Sequence, residues 1–289
     1  MSIREFKVEE PVELLEFLVK KMPEMSRTKV KEILAHSTSV NGRRVSQFNY
    51  PLQPGQMVAV SKTSPQQRFR SRWIEIVFED RYLIVANKRE GLLSNSKHPA
   101  DITAITELNR YLASTHQKCS AHIVHRLDRD TSGLMVFAKS KQTAQKFEED
   151  WKGTVSDRAY VAVAWGKIEP KSDTIVSWLT DGEFCVLSSP TDNGGKKAVT
   201  NYEVKRYSRR YSLVELHLDT GRRNQIRVHL RELGHPVVHD PLYGYKDDVS
   251  PIGRLALHAF RLGFTHPITG KKMLFETPYP ANFMKLMEL

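Results

Sequence analysis

The chain has 289 residues, 40% hydrophobic and 9% aromatic, enough for one large domain with a real core and one small one. No apolar run approaches the roughly 20 residues that cross a bilayer, and the start, MSIREFKVEE, has neither an apolar h-region nor a small-residue cleavage site, so a cytoplasmic protein is expected. Two separated cysteines, Cys119 and Cys185, make neither a disulfide framework nor a CxxC metal site. The net charge of +11 points to an anionic partner, nucleic acid first. It is concentrated near the start, where residues 20–72 carry eleven Lys or Arg against Glu24 and Glu32 alone.

Residues 1–62 read as a small module. Val12, Leu14, Leu15, Phe17 and Leu18 fit one helical stripe. Ser26 suits the cap of a second helix over Arg27–Leu34, which buries Val30, Ile33 and Leu34 and shows Arg27, Lys29 and Lys31 to solvent. Val40 to Val45 reads as a strand, an Asn41-Gly42 turn and a strand carrying Arg43 and Arg44. Pro54-Gly55 then turns the chain into a strand from Met57 to Val60. In this order "SRTKVKEIL", "VNGRRV" and "LQPGQMVAV" resemble the alpha-L RNA-binding module. That resemblance implies RNA contacts from Arg27, Lys29, Lys31, Arg43 and Arg44. Residues 63–72 are polar, basic and interrupted by Pro65, and read as a linker whose Arg68, Arg70 and Arg72 either touch phosphates or are simply solvated.

A larger domain over residues 73–289 follows. Trp73 to Phe78 and Leu83 to Ala86 read as strands, with a turn over Lys88 to Gly91. Leu134 to Ala138 is a short buried strand. Thr143, Ala144, Phe147 and Trp151 form a helical stripe that Gly153 is suited to end. Strands are expected over 158–164, 199–204 and 213–218. Ile226, Leu230 and Leu233 mark a helix stopped by Gly234-His235-Pro236. Strands dominate without a regular βαβ alternation, so the expected class is α+β rather than a doubly wound sheet.

The chemistry is densest between His125 and Lys139. Arg126 and Asp128 precede a Ser132-Gly133 turn and an apolar strand. A carboxylate beside a guanidinium stays ionised and aimed, and Ser-Gly permits a sharp turn, which together can hold one acid at the floor of a cleft. An isolated Arg-x-Asp serves equally as a surface salt bridge. The whole stretch, HRLDRDTSGLMVFAK, resembles the HRLDxxTSGLLLxAK signature of the RluA family of RNA pseudouridine synthases. EDRYLIVANKREG is similar to that family's EDxxLLVVNKPAG, with Arg89-Glu90 in place of Pro-Ala, a change expected to loosen the turn. RAYVAVAWG is similar to KxYxAxVxG, and TGRRNQIRVHL to TGRTHQIRVHL, with Arg223-Asn224 in place of Thr-His. HPVVHDPLYG resembles GHPIxGDxxYG with His239 where Gly is common; this turn, RLALHA and FTHPITGKKMLFETPYP read as scaffold.

The resemblance implies a pseudouridine synthase-like fold, a mixed, mainly antiparallel central sheet with flanking helices beside the small N-terminal module. It implies isomerisation of uridine in ribosomal or transfer RNA by a monomer. The N1–C1′ bond breaks, the uracil turns, and C5 bonds to C1′. No atom or electron is exchanged, so neither cofactor nor metal is expected. Asp128 takes the place of the catalytic aspartate, attacking C1′ or C6 or acting as a base at C2′. Tyr160 takes that of a phenol that stacks on uracil or moves a proton; on the residues alone it is a core aromatic. Arg227 takes that of the arginine paired with the carboxylate. Arg126 either fills the space of an extruded base, holds a phosphate or forms a salt bridge. Arg222 either meets a phosphate or braces its loop. A non-catalytic RNA-binding factor on this scaffold would be expected to lose Asp128, Tyr160 or Arg227. A metal-dependent nuclease needs clustered carboxylates, and the spacing of His122, His125 and Asp128 matches no metal motif.

Overall fold

The computed structural model describes residues 3–45, 47–61 and 71–289, in two units, Met1–Phe69 and Arg70–Leu289. In the first, β1 (Ile3–Lys7), β2 (Val12–Glu13), α1 (Leu14–Lys21), α2 (Arg27–Ser37), β3 (Thr38–Val40), β4 (Arg43–Arg44), β5 (Pro51–Leu52) and β6 (Met57–Ser61) follow in order. A sheet of order β1-β6-β3-β4 and a β2-β5 pair share a core with the helices through Leu14, Leu18, Val30, Leu34 and Val58. Ser26 caps α2 by accepting from the Lys29 N–H at 3.3 Å. Asn41 and Gly42 both take positive φ (48° and 78°), the geometry a two-residue hairpin turn needs. Of the basic linker expected over 63–72, residues 63–70, including Arg68 and Arg70, lie outside the described residues; the Arg72 guanidinium sits 4.5 Å from the Trp73 ring.

The second unit runs β7 (Ile74–Glu79), β8 (Leu83–Lys88), α3 (Ala104–Ser114), β9 (His122–Ile123), β10 (Ser132–Ala138), α4 (Lys141–Glu149), α5 (Trp151–Thr154), β11 (Val155–Trp165), β12 (Ser172–Asp181), β13 (Val186–Ser189), β14 (Lys196–Tyr207), β15 (Tyr211–Leu218), α6 (Gln225–Glu232), β16 (Leu257–Thr265), β17 (Lys272–Glu276) and α7 (Ala281–Leu286). Its sheet has the order β13-β12-β14-β15-β11-β16-β10-β8-β7, with β17 on β16 and β9 on β10. Among the described residues only β10–β16 pairs in parallel. The class is α+β with a mixed, mainly antiparallel sheet. Every residue of β10 is buried, as its continuous apolar run requires of a central strand.

Three local expectations change. Val12, expected on the stripe of the first helix, lies in β2 opposite Leu52, and α1 starts only at Leu14. The stripe Thr143–Trp151 is broken at Asp150, which caps α5 by accepting from the Gly153 N–H at 2.9 Å; Gly153 lies inside that turn instead of ending a longer helix. The Arg89-Glu90 turn is braced rather than loosened. Arg254 reaches Glu90 at 2.7 Å and donates to the Ser132 hydroxyl at 2.6 Å, tying the turn to the start of β10. No helix among the described residues is long and apolar enough to cross a membrane.

Candidate active site

The site is built on the loop that enters β10. The Ser94 hydroxyl donates to the Leu127 carbonyl at 2.6 Å and accepts from the Leu127 N–H at 3.1 Å. The buried Lys88 ammonium, at the end of β8, donates to the carbonyls of Arg89, Leu92 and Arg129 at 3.1, 2.8 and 3.0 Å. Asp128 is therefore clamped through its neighbours' backbone on both sides. Its own carboxylate is engaged by no hydrogen bond or ion pair among the described residues, and it faces a cleft of about 950 Å³.

β16 brings the other half of the site. Ala259 lies opposite Gly133 on β10 and opposite Tyr160 on β11, where the β11–β16 register shifts. The three strands thus set Tyr160 one strand away from the turn that follows Asp128. Gly133 is obligatory there: its φ is 124°, and a Cβ would stand 2.2 Å from the Ala259 carbonyl oxygen. Tyr160 is almost wholly buried. Burial pushes its phenol up to about 12 against the opposing pull of Arg158, so it stays protonated near neutral pH.

Arg227 lies on α6 with its side chain buried, and its partner differs from the one expected. Nε and Nη2 donate to Oδ2 and Oδ1 of Asp240, each at 2.7 Å, and Nη1 donates to Asn224 Oδ1 at 3.2 Å. Asp240 Oδ1 also accepts from the N–H groups of Leu242 and Tyr243, and the Arg227 guanidinium lies 5.1 Å from the Tyr243 ring. The turn read as scaffold therefore supplies the counter-ion, and Arg227 acts on Asp128 through space. Burial raises the Asp128 carboxyl above its ordinary range. Arg227, Arg126, Lys88 and Arg223, in decreasing order, pull it back without reversing the direction.

Arg126, Asp128, Tyr160, Arg222 and Arg227 all line the one cleft, with Trp151. Arg222 braces its loop: Nε donates to the Lys197 carbonyl at 3.2 Å and its N–H to Gln225 Oε1 at 3.0 Å. Arg27, Lys29, Lys31, Arg43 and Arg44 belong to the other unit. Arg27 is ion-paired with Glu16, Lys31 lies 5.9 Å from the Phe48 ring, and the side chains of Arg43 and Arg44 are outside the described residues. His125 Nε2 accepts from the Val136 N–H at 3.1 Å and the His122 ring meets the Ser120 hydroxyl. Among the described residues no group of His, Cys, Asp and Glu is gathered as for a metal ion.

Sequence reasoning missed Lys88, Ser94, Asn224 and Asp240. Two of them left a signal: a lysine closing the buried strand LIVAN, and an acid in the apolar turn PVVHDPLYG. Asn224 (φ 54°) and His239 (φ 55°) both occupy left-handed positions; such a position favours Gly or Asn, which suits Asn224 and leaves His239 without that advantage.

One unpaired carboxylate, surrounded by cations at the floor of a cleft on a mixed sheet, defines an enzyme-type site for an anionic substrate. A family model described as RNA pseudouridylate synthase matches residues 82–232. The Bacillus subtilis (strain 168) protein named Uncharacterized RNA pseudouridine synthase YhcT is 36% identical over 216 residues, covering 74% of this chain and 71% of that one. Ribosomal large subunit pseudouridine synthase D of Escherichia coli O157:H7 is 33% identical over 294 residues, covering 94% and 88%. The solved structure of Human RNA Pseudouridylate Synthase Domain Containing 1 matches with a TM-score of 0.60 at 26% identity, covering 75% of this chain and 86% of that one. The chain belongs to the RNA pseudouridylate synthase family and is an RNA pseudouridine synthase, an isomerase.

Proposed function

We propose that the uridine this chain isomerises lies in large-subunit ribosomal RNA, and that Asp128 is the reacting carboxylate. The observation that carries the role of Asp128 is its unpaired side chain between two clamped neighbours. A group held by its backbone and left without a protein partner is aimed at substrate. The choice of ribosomal RNA is supported by relatives named for the large ribosomal subunit that match over 94% of this chain.

A uridine extruded into the cleft meets Asp128 from one side. The carboxylate attacks C1′ or C6, or removes the C2′ proton, and the neighbouring cations steady the charge that moves during glycosidic cleavage. Arg227, from its seat on Asp240, favours the ionised form of Asp128 through its field alone. Tyr160, protonated near neutral pH, stacks on the uracil or donates a hydrogen bond rather than serving as a phenolate base. Arg126 at the exposed rim fills the vacated stack or meets a phosphate, and Arg222 keeps the rim in shape. The first unit is an alpha-L-like module gripping RNA through the faces of α2 and the β3–β4 hairpin, joined to the catalytic domain by the basic linker. The chain works as a monomer in the cytoplasm, with no cofactor.

The test is Asp128→Asn, assayed on ribosomal and transfer RNA transcripts by pseudouridine mapping. The amide keeps the shape and loses the charge, so isomerisation should vanish while RNA affinity stays within about tenfold. A fully active variant removes Asp128 from the chemistry, and modification of transfer RNA alone removes the ribosomal assignment.

A further inference from the structure

We propose that Arg223 anchors a phosphate of the RNA strand flanking the target uridine, and that Asp181 holds its place until RNA arrives. This rests on the reading of the cleft as the uridine site. Arg223 belongs to two cavities at once. It lines the cleft that holds Asp128, and it lines a side groove of about 170 Å³ walled by Asp181, Lys196 and Gly221. A strand that leaves the cleft by this side must pass Arg223.

The guanidinium is available for such a contact. Its ionic partner among the described residues is Asp181, Nε to Oδ1 at 3.1 Å, with the two side chains 49% and 67% exposed. No hydrogen bond engages it among the described residues. So open an ion pair is weak, whereas a phosphate offers two oxygens to the planar fork. Arg222 beside it is committed to the Lys197 carbonyl. Asn224 on the other side is fixed, donating to the Tyr243 hydroxyl at 3.1 Å and accepting from Arg227. Arg223 thus projects from a braced loop. Lys196 adds a second positive charge to the wall of this groove. The motif that this segment resembles has Thr at this position, too short and uncharged for the same contact, so the anchor is a feature of this chain that bears on which RNA it accepts.

The experiment uses the full chain and a ribosomal RNA transcript, measuring Kd against salt, and KM and kcat for pseudouridine formation. Arg223→Gln should raise Kd and KM about tenfold, flatten the slope of log K against log salt by about 0.7, and lower kcat by a smaller factor than it raises KM, since Arg223 is the weakest of the four cations acting on Asp128. Arg223→Lys keeps a charge and should keep the native salt slope. Asp181→Asn should bind RNA more tightly than the native chain, because the competing carboxylate is gone. An unchanged KM and salt slope in Arg223→Gln, a fall confined to kcat, or a lost slope in Arg223→Lys overturns the anchor. Unchanged or weaker binding in Asp181→Asn overturns the exchange. Failure of the native chain to modify the transcript would instead count against the ribosomal assignment, since the anchor is read from binding differences between variants.

Discussion

Arg227 and Asp240 form a buried two-pronged ion pair, both contacts at 2.7 Å, and this pair rather than Asp128 itself fixes where the guanidinium sits. The arrangement separates two jobs. Asp240 neutralises and holds the arginine, and the arginine's field lowers the carboxyl of Asp128, which no side chain among the described residues engages.

Substitutions at the two positions should therefore fail differently. Arg227→Ala removes the largest influence that lowers the Asp128 carboxyl, so the acid limb of the kcat/KM profile should move to higher pH. Arg227→Lys keeps the charge but loses the fork, and turnover should fall strongly with the fold largely retained. Asp240→Asn leaves a buried guanidinium uncompensated and should cost about 3–5 kcal/mol in denaturant unfolding. An acid limb unmoved in Arg227→Ala would mean that Arg227 does not act on Asp128.

Lys88 offers a test of loop positioning. Its three carbonyl bonds join the end of β8 to the loop carrying Asp128. Lys88→Met fills the volume but strands three carbonyls, at about 1–3 kcal/mol for a buried group left unsatisfied. We expect lower stability and a kcat that falls more than KM rises, because Arg129 would no longer fix its neighbour. Burial also lowers this ammonium to about 8, with Asp130 and Asp128 opposing.

Acid should destabilise the catalytic unit through buried histidines, His125, His229 and His258, all lowered by burial; two of them sit between hydroxyls. His229 lies between the hydroxyls of Ser177 and Thr200, and burial lowers it to about 4. His258 lies between those of Ser132 and Thr277, and burial lowers it to about 3, with Arg254 adding to the effect. Both folded values are below the unfolded value of about 6.5. Their contribution is therefore complete above pH about 6.5 and is lost as pH falls toward the folded values, by up to about 1.4 kcal/mol per group per pH unit. Melting temperatures from pH 7 to 4.5 would show the decline, and His229→Gln should shallow it.

Removing residues 1–62 should weaken RNA binding and flatten its salt dependence, since several lysines and arginines would no longer displace counterions. The remainder has its own cores, one around Leu83, Leu134, Phe147 and Phe264, and should still melt cooperatively. An unchanged salt slope in filter binding would mean that the basic face is only solvated.

What the sequence determined by itself is local. The apolar run of β10, the Ser26 cap and the Asn41-Gly42 hairpin follow from periodicity and turn chemistry, which act over a few residues. The HRLD segment likewise pointed to Asp128, because its residue types and their order are written contiguously. The expected helix running through Asp150 failed on an equally local signal, a capping aspartate in the middle of the stripe. Only the tertiary structure decided the rest. That Lys88 reaches Arg129 and that Ala259 stands between Gly133 and Tyr160 depend on the strand order β11-β16-β10-β8, and that Arg227 meets Asp240 depends on the turn after α6 folding back beside the helix. Strand order is set by burying many side chains together, and no single segment encodes it. The ionisation of Asp128 belongs to the same level. Beside Arg126 in the sequence it reads as a readily ionised acid, but its carboxyl is raised because folding removes water from it more than the assembled cations compensate.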